Sequence, residues 1–264
     1  MIAPRCLTLA APALLAAVSL LVAGCTAPPV RSSPPTIEQT GAMRAVMREG
    51  RSEARIDLGS MRFVPGVIAV GMEPSLAGEI TACDGHCWTT RVVDRLEDGT
   101  AVLETVEFGD ATTAQAAGSA TMLTVGRVLA WNEMTLDAEC GLDAVLAHAE
   151  SLAESAGMSE DWAFPLEIIA PTARVNAHVA AGACPHGDPE GAAASPPWRF
   201  EGETAGEARI VGFRIVNGGG VSTHHGRREH LHVLFEVDGM LVSAHLDDVT
   251  APEGTVVRVP RDWV

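Results

Sequence analysis

A histidine-rich segment near the C-terminus carries the side chains whose spacing most directly suggests chemistry. Asp238-Gly239 is typical of a two-residue type I′ loop that joins two antiparallel strands. Counting outward from that loop pairs His232 directly with His245. Because side chains alternate between the faces of a strand, His230 and Asp247 would lie on the same face as this pair. The sequence therefore predicts three imidazoles and a carboxylate on one face of a hairpin.

The opposite face of the hairpin is entirely apolar, which supports this register. It is formed by Leu231, Val233, Phe235, Val237, Met240, Val242, Ala244 and Leu246. Shifting either strand by one residue would bring His245 or Glu236 into the core, where an unpaired buried charge is costly. We therefore predict the register independently of any ligand.

Three histidines, with or without a carboxylate, form an accepted ligand set for zinc or copper. Residues directly opposed across two strands have Cβ atoms about 4.5–5.5 Å apart, so the histidines of this hairpin could reach one ion. We name His230, His232, His245 and Asp247 as the candidate ligands. The alternative is a solvated or packed polar face that binds no metal.

The other histidines offer weaker candidates. His224 and His225 lie upstream in a glycine-rich segment and could close over the hairpin. The remaining four are scattered, and each is expected at the surface or the edge of the core; they are His86, His148, His178 and His186.

Four cysteines follow the N-terminal 25 residues, and an even number favours two disulfides in an oxidising compartment. Three pairings are possible, and we favour Cys83–Cys87 with Cys140–Cys184 because the first pair is local. The alternative is that the segment from Cys83 to Cys87, which contains a histidine, forms a metal or redox site.

The composition removes several enzyme classes. The chain has no lysine and no tyrosine, which excludes Schiff-base lysines and phosphate-loop lysines. No nucleophile elbow, His-Glu-x-x-His motif or EF-hand loop is present. His148-Ala149-Glu150 matches half of a zinc deaminase motif, but the cysteine half is missing. We therefore expect a non-catalytic binding module, with a zinc- or copper-binding protein as the alternative.

The order of predicted elements indicates an α+β fold, mostly antiparallel sheet with one or two packed helices. We predict an interrupted helix over 37–55 and a stronger one over 136–156, which could begin only near Gly141. Asp98-Gly99 predicts a second two-residue hairpin loop, and residues 185–197 an exposed loop.

The N-terminus has the features of an export signal. One basic residue, Arg5, precedes an uncharged apolar run over residues 7–21, which ends in Val22-Ala23-Gly24-Cys25. This tetrad resembles the lipobox of bacterial lipoprotein precursors. The resemblance implies cleavage before Cys25, acylation of that cysteine, and a place in the cell envelope outside the cytoplasm. The alternative is an ordinary secretory signal with a chance cysteine.

These features divide the chain into a signal peptide (residues 1–24), a Pro/Ser-rich tether (25–36) and one α+β domain (37–264), with a candidate subdomain boundary near 158–165. The formal net charge of −16 should repel nucleic acid. The expected partners are the membrane, through the lipid anchor, and an envelope protein or small ligand.

Overall fold

The computed structural model describes residues 33–108, 118–183, 189–224 and 226–264. The fold is α+β and mostly antiparallel sheet, as predicted. The signal peptide, Cys25 and most of the tether lie outside the described residues. So do Cys184, His186 and His225. No helix within the described ranges has the length and apolar character needed to cross a membrane.

Strands far outnumber helices along the chain. The strands are β1 (Ile37–Thr40), β2 (Ile56–Asp57), β3 (Val67–Met72), β4 (Gly78–Cys83), β5 (His86–Arg95), β6 (Ala101–Phe108), β7 (Ser119–Ala120), β8 (Met122–Thr135), β9 (Cys140–Gly141), β10 (Phe164–Ala170), β11 (Arg174–Val179), β12 (Trp198–Glu203), β13 (Ala208–Arg214), β14 (Glu229–Val237), β15 (Met240–Ala251) and β16 (Val256–Trp263). The helices are α1 (Met43–Glu49), α2 (Leu142–Ser155) and α3 (Pro189–Ala194), with short 3₁₀ turns at Leu58–Ser60 and Pro74–Leu76.

A 14-stranded sheet contains most of these strands. Its order is β12-β11-β15-β14-β13-β10-β16-β8-β3-β4-β5-β6, with β1 beside β8 and β9 beside β15. A separate two-stranded sheet joins β2 to β7. The paired strands are antiparallel, so each hydrogen-bonded neighbour runs in the opposite direction.

The long sheet folds over, so that β3, β4 and β5 pack face to face with β13, β14 and β15. Between the two halves lies a small apolar cluster that includes Ile68, Cys83 and Phe213. Helix α2 packs on the outer side of the second half, against β15 and β16. Each face of the β14–β15 hairpin is therefore covered by another layer.

The region predicted as one interrupted helix over 37–55 contains both a strand and a shorter helix. Residues 37–40 pair with β8 as β1, and only Met43–Glu49 is α-helical. Gly41 and Gly50 adopt positive φ angles of 72° and 67°, which end the strand and the helix. Because they favour this left-handed conformation, the two glycines divide an otherwise helix-forming sequence.

Helix α2 confirms the stronger helix prediction, with a later start. Its apolar stripe, which includes Val145 and Ala149, is buried in the main core. The helix begins after Gly141 because Cys140 and Gly141 pair with β15 as β9. The segment predicted as a loop over 185–197 contains α3, so that prediction is wrong over Pro189–Ala194.

Candidate metal centre

The β14–β15 hairpin has the predicted register. Val237 pairs with Met240, and His232 pairs with His245. Asp238 and Gly239 have φ angles of 51° and 80°, as a type I′ loop requires. The apolar face of the hairpin packs into the main core, as the pattern predicted.

The histidine face is buried, because β4 and β5 cover it. His230, His232 and His245 expose only 2%, 0% and 8% of their surface. The alternative of a solvated histidine surface is therefore wrong. Imidazoles are polar, and burying polar groups is costly unless they find partners.

The three imidazoles converge. One ring nitrogen from each of His230, His232 and His245 lies within 4.8 Å of the others. Their ring centroids are 5.1 to 5.5 Å apart. We call these three residues the His triad.

Two of the triad nitrogens have no hydrogen-bond partner in the described part of the chain. They are Nδ1 of His230 and Nε2 of His232. The other nitrogen of His232, Nδ1, lies 3.1 Å from the hydroxyl of Thr81 on β4. A hydrogen bond with the backbone of Ser222 holds His230, necessarily through Nε2. The rings of His230 and His232 are thus each fixed through one nitrogen, while the other remains available to a ligand.

Burial keeps the His triad uncharged. Desolvation, assisted by the nearby His224, lowers the pKa of His230 to about 3. Desolvation also lowers the pKa of His232 and of His245 well below its usual range, and neighbouring imidazoles add to the effect. Neutral imidazole is the form that binds a metal. The free nitrogens and the donor chemistry therefore fit a metal ion, and the His triad can hold one.

Asp247 lies beside the triad but is not one of its converging groups. Its Oδ2 lies 2.8 Å from Nδ1 of His178 and 3.4 Å from Nη1 of Arg199. The prediction of Asp247 as a ligand is thus not supported by its position, since its carboxylate is engaged by His178. His178 is buried, and its ring lies beside that of His245 with centroids 5.0 Å apart, because the two residues pair between β11 and β15. The sequence pattern had placed His178 only at the surface or core edge.

A buried carboxyl group on β4 lies beside the triad and was not among the candidate site residues predicted from the sequence. Glu79 is fully buried, and its Oε2 lies 3.6 Å from Nε2 of His232, beyond hydrogen-bond distance. The backbone N–H of Ala180 donates to its Oε1 at 3.3 Å. Burial raises the pKa of Glu79 to about 8. In the metal-free protein this group therefore holds its proton at neutral pH, next to the His triad.

A cavity of about 560 Å³ reaches the triad at one residue, His245. His245 and Asp247 line it from β15, and His224 lines it from the glycine-rich segment. The ring of His224 lies edge-on to His245 with centroids 5.3 Å apart, which places this histidine next to the hairpin as expected; His225 lies outside the described residues. A small molecule in this cavity could contact the triad at His245.

The predicted disulfide between Cys83 and Cys87 is not formed, since both thiols are free. Asp84 and Gly85, with φ angles of 51° and 88°, form a tight turn between β4 and β5. Cys83 pairs with His86, so Cys87 points to the opposite sheet face, and the thiols lie in different apolar clusters. Burial also raises the pKa of Cys83 to about 12, which argues against a metal or redox site. Cys140 is free as well, and its predicted partner Cys184 lies outside the described residues.

The chain thus combines a folded-over antiparallel sheet with a buried histidine cluster beside a cavity. No family model matches the chain, and no curated protein matches its sequence. Among solved structures, it is similar to alpha-acetolactate decarboxylase from Bacillus subtilis, with a TM-score of 0.55 and 17% identity over 84% of this chain and 85% of that chain. A protein of unknown function from Staphylococcus aureus, described as similar to the same decarboxylase, gives 0.56 and 14% over 84% of each chain.

Identities this low establish a shared fold and nothing finer. The prediction of a non-catalytic binding module is nevertheless wrong, because the chain has the fold of an enzyme family. No local sequence motif indicated this, since the site combines residues from β4, β11, β14 and β15.

Proposed function

We propose that this chain is a metal-dependent decarboxylase that acts on a 2-hydroxy-3-oxo acid of the acetolactate type. The observation that carries the proposal is the His triad, of which His245 lines a cavity, in a fold shared with alpha-acetolactate decarboxylase. The cavity lies within the size range of small-molecule sites.

Zinc is the metal we propose. Three histidines with room for a further ligand is a common arrangement at catalytic zinc sites, and zinc does no redox chemistry. Decarboxylation is not a redox step and needs only a positive charge near the oxygen that becomes negative. A bound zinc ion would supply that charge as a Lewis acid. Copper, which also binds imidazole, is the alternative ion.

The reaction divides into a bond cleavage and a proton transfer. The bond between the carboxylate carbon and C2 breaks, carbon dioxide leaves, and the electron pair passes into the carbonyl at C3. A proton then adds to carbon and gives a hydroxyketone. Glu79 is our candidate for the group that carries this proton, because its buried carboxyl group lies 3.6 Å from Nε2 of His232, beside the triad.

The test combines metal analysis with an activity assay. The protein, purified without refolding, should contain about one zinc ion per chain and release carbon dioxide from acetolactate. The His232→Ala/His245→Ala variant should lose both properties. His148→Ala is the matched control, because this half-buried histidine on α2 belongs to neither the triad nor the cavity lining. Equal metal content in the double variant and the wild type would refute the proposal.

We further propose that the enzyme is a lipoprotein, anchored through Cys25 and acting outside the cytoplasm. The lipobox-like tetrad and the Pro/Ser-rich stretch after it support this location. Several acyl chains on one residue give durable anchoring, since each buried methylene contributes about 0.8 kcal/mol.

A further inference from the structure

The outer part of the cavity is formed by helix α1. Met43 and Met47 line the cavity from one side of this helix, and Arg44 and Arg48 line it one turn apart. The helix is held against the glycine-rich segment by two backbone hydrogen bonds of 2.8 Å. The N–H of Met43 donates to the carbonyl oxygen of Val221, and the N–H of Arg44 donates to that of Gly220. The two guanidinium groups are thus presented at the entrance by a fixed element.

The acidic groups of the cavity already have basic partners. Glu229 lies 3.3 Å from Arg227, and Asp247 is bonded to His178. Arg44 has only a long ion pair, 3.7 Å from Glu49, and Arg48 has no ion pair with any residue in the described ranges. In a chain of net charge −16, the entrance therefore carries a local positive charge that Glu49, which also pairs with Arg51, offsets only in part.

The reacting carboxylate of a substrate is not the anion that these arginines suit. That carboxylate must leave as neutral carbon dioxide, so an ion pair to it would stabilise the ground state more than the transition state. It would also lie near buried His245, whereas the side chain of Arg44 is 70% exposed at the entrance. Binding a remote, non-reacting group carries no such penalty.

We propose that Arg44 and Arg48 form a subsite for a second carboxylate, so that the substrate is a dicarboxylic 2-hydroxy-3-oxo acid. This inference rests on the proposed function and narrows its substrate class. The apolar wall between the two ends, which includes Met47, Leu231 and Leu246, accommodates the carbon chain that separates the reacting group from the second carboxylate.

The experiment compares two probes of equal chain length in calorimetric titrations of the full chain. 2-Oxoglutarate carries a distal carboxylate, and 2-oxopentanoate has a methyl group in its place. The wild type should bind 2-oxoglutarate about tenfold more tightly, and added salt should weaken that binding selectively. Equal affinities for the two probes would overturn the proposal.

Variants locate the subsite. Arg44→Gln/Arg48→Gln should abolish the preference, whereas Arg48→Lys should keep part of it. Arg51→Gln/Arg55→Gln is the matched control, because it removes two positive charges just beyond α1 and outside the cavity lining. A preference for 2-oxoglutarate that survives in Arg44→Gln/Arg48→Gln would refute the assignment.

Repeating the titrations in the presence of a chelator separates this proposal from the proposed function. Selectivity for 2-oxoglutarate that persists without metal, in a protein that neither binds zinc nor releases carbon dioxide, would leave the subsite standing and refute the decarboxylase. Zinc binding and acetolactate turnover without that selectivity would support the decarboxylase and refute the subsite.

Discussion

Replacing His230 by glutamine should change the stability of the metal-free protein in a pH-dependent way. Burial lowers the pKa of His230 to about 3 in the folded chain, against 6.5 for an exposed imidazole. Between these two values the unfolded chain binds a proton that the folded chain does not bind. The free energy of unfolding of the wild type therefore falls as the pH drops below 6.5, and His230 contributes about 1.4 kcal/mol per pH unit to that fall.

His230→Gln removes this contribution because an amide does not titrate. From pH 7 to pH 4.5, the difference in stability between wild type and variant should shift by about 2.5 kcal/mol in favour of the variant. Other groups titrate in both proteins, so most of their effect cancels in the difference. Urea denaturation of both proteins in the presence of a chelator, at half-unit steps of pH, measures this difference in the free energy of unfolding. A difference that stays constant with pH would show that His230 titrates normally in the folded chain and would refute the reasoning.

Three further changes test the site and its surroundings. Thr81→Val removes the hydroxyl that contacts the Nδ1 atom of a triad imidazole and should weaken zinc binding about 10- to 100-fold in a competition titration. Thr89→Val, which removes a buried hydroxyl without a partner among the described residues, should leave zinc binding unchanged. Gly212→Ala should lower the free energy of unfolding by at least about 2 kcal/mol, since the added methyl would overlap a β14 carbonyl oxygen, whereas Gly141→Ala meets open space. Cys25→Ser should abolish membrane retention, and a substituted protein that still enters the detergent phase in a phase-separation assay would contradict the lipoprotein assignment.

The histidine pair was predictable because its geometry is local. Asp238-Gly239 imposes a type I′ loop, and the loop fixes every pair along the two strands. Asp98-Gly99 shows the limit of this reasoning. The hairpin forms, but Arg95 pairs with Ala101, which implies a loop longer than the two residues predicted, with Gly99 in the left-handed conformation.

The partners of the triad could not be predicted, because they depend on contacts between distant segments. Glu79 and Thr81 lie some 150 residues before His232, and only the folding of the sheet brings them together. One signal was available and was missed. Asp84-Gly85 is the same kind of turn as Asp238-Gly239, and it predicts a hairpin whose register places Cys83 and Cys87 on opposite faces.

The burial of the His triad itself favours a ligand. Three imidazoles lie where the two halves of the sheet meet, and elsewhere this interface is filled by side chains such as Ile68 and Phe213. Two buried imidazole nitrogens without a hydrogen bond cost about 1–3 kcal/mol each, which a chain with apolar residues at these positions would avoid. A metal ion that accepts both lone pairs would offset this cost through its binding energy. Zinc should therefore raise the stability of the wild type by an amount that grows with the logarithm of its affinity, and should leave the stability of His232→Ala/His245→Ala unchanged. Thermal unfolding with and without zinc measures this, and an equal shift in both proteins would mean that zinc binds elsewhere.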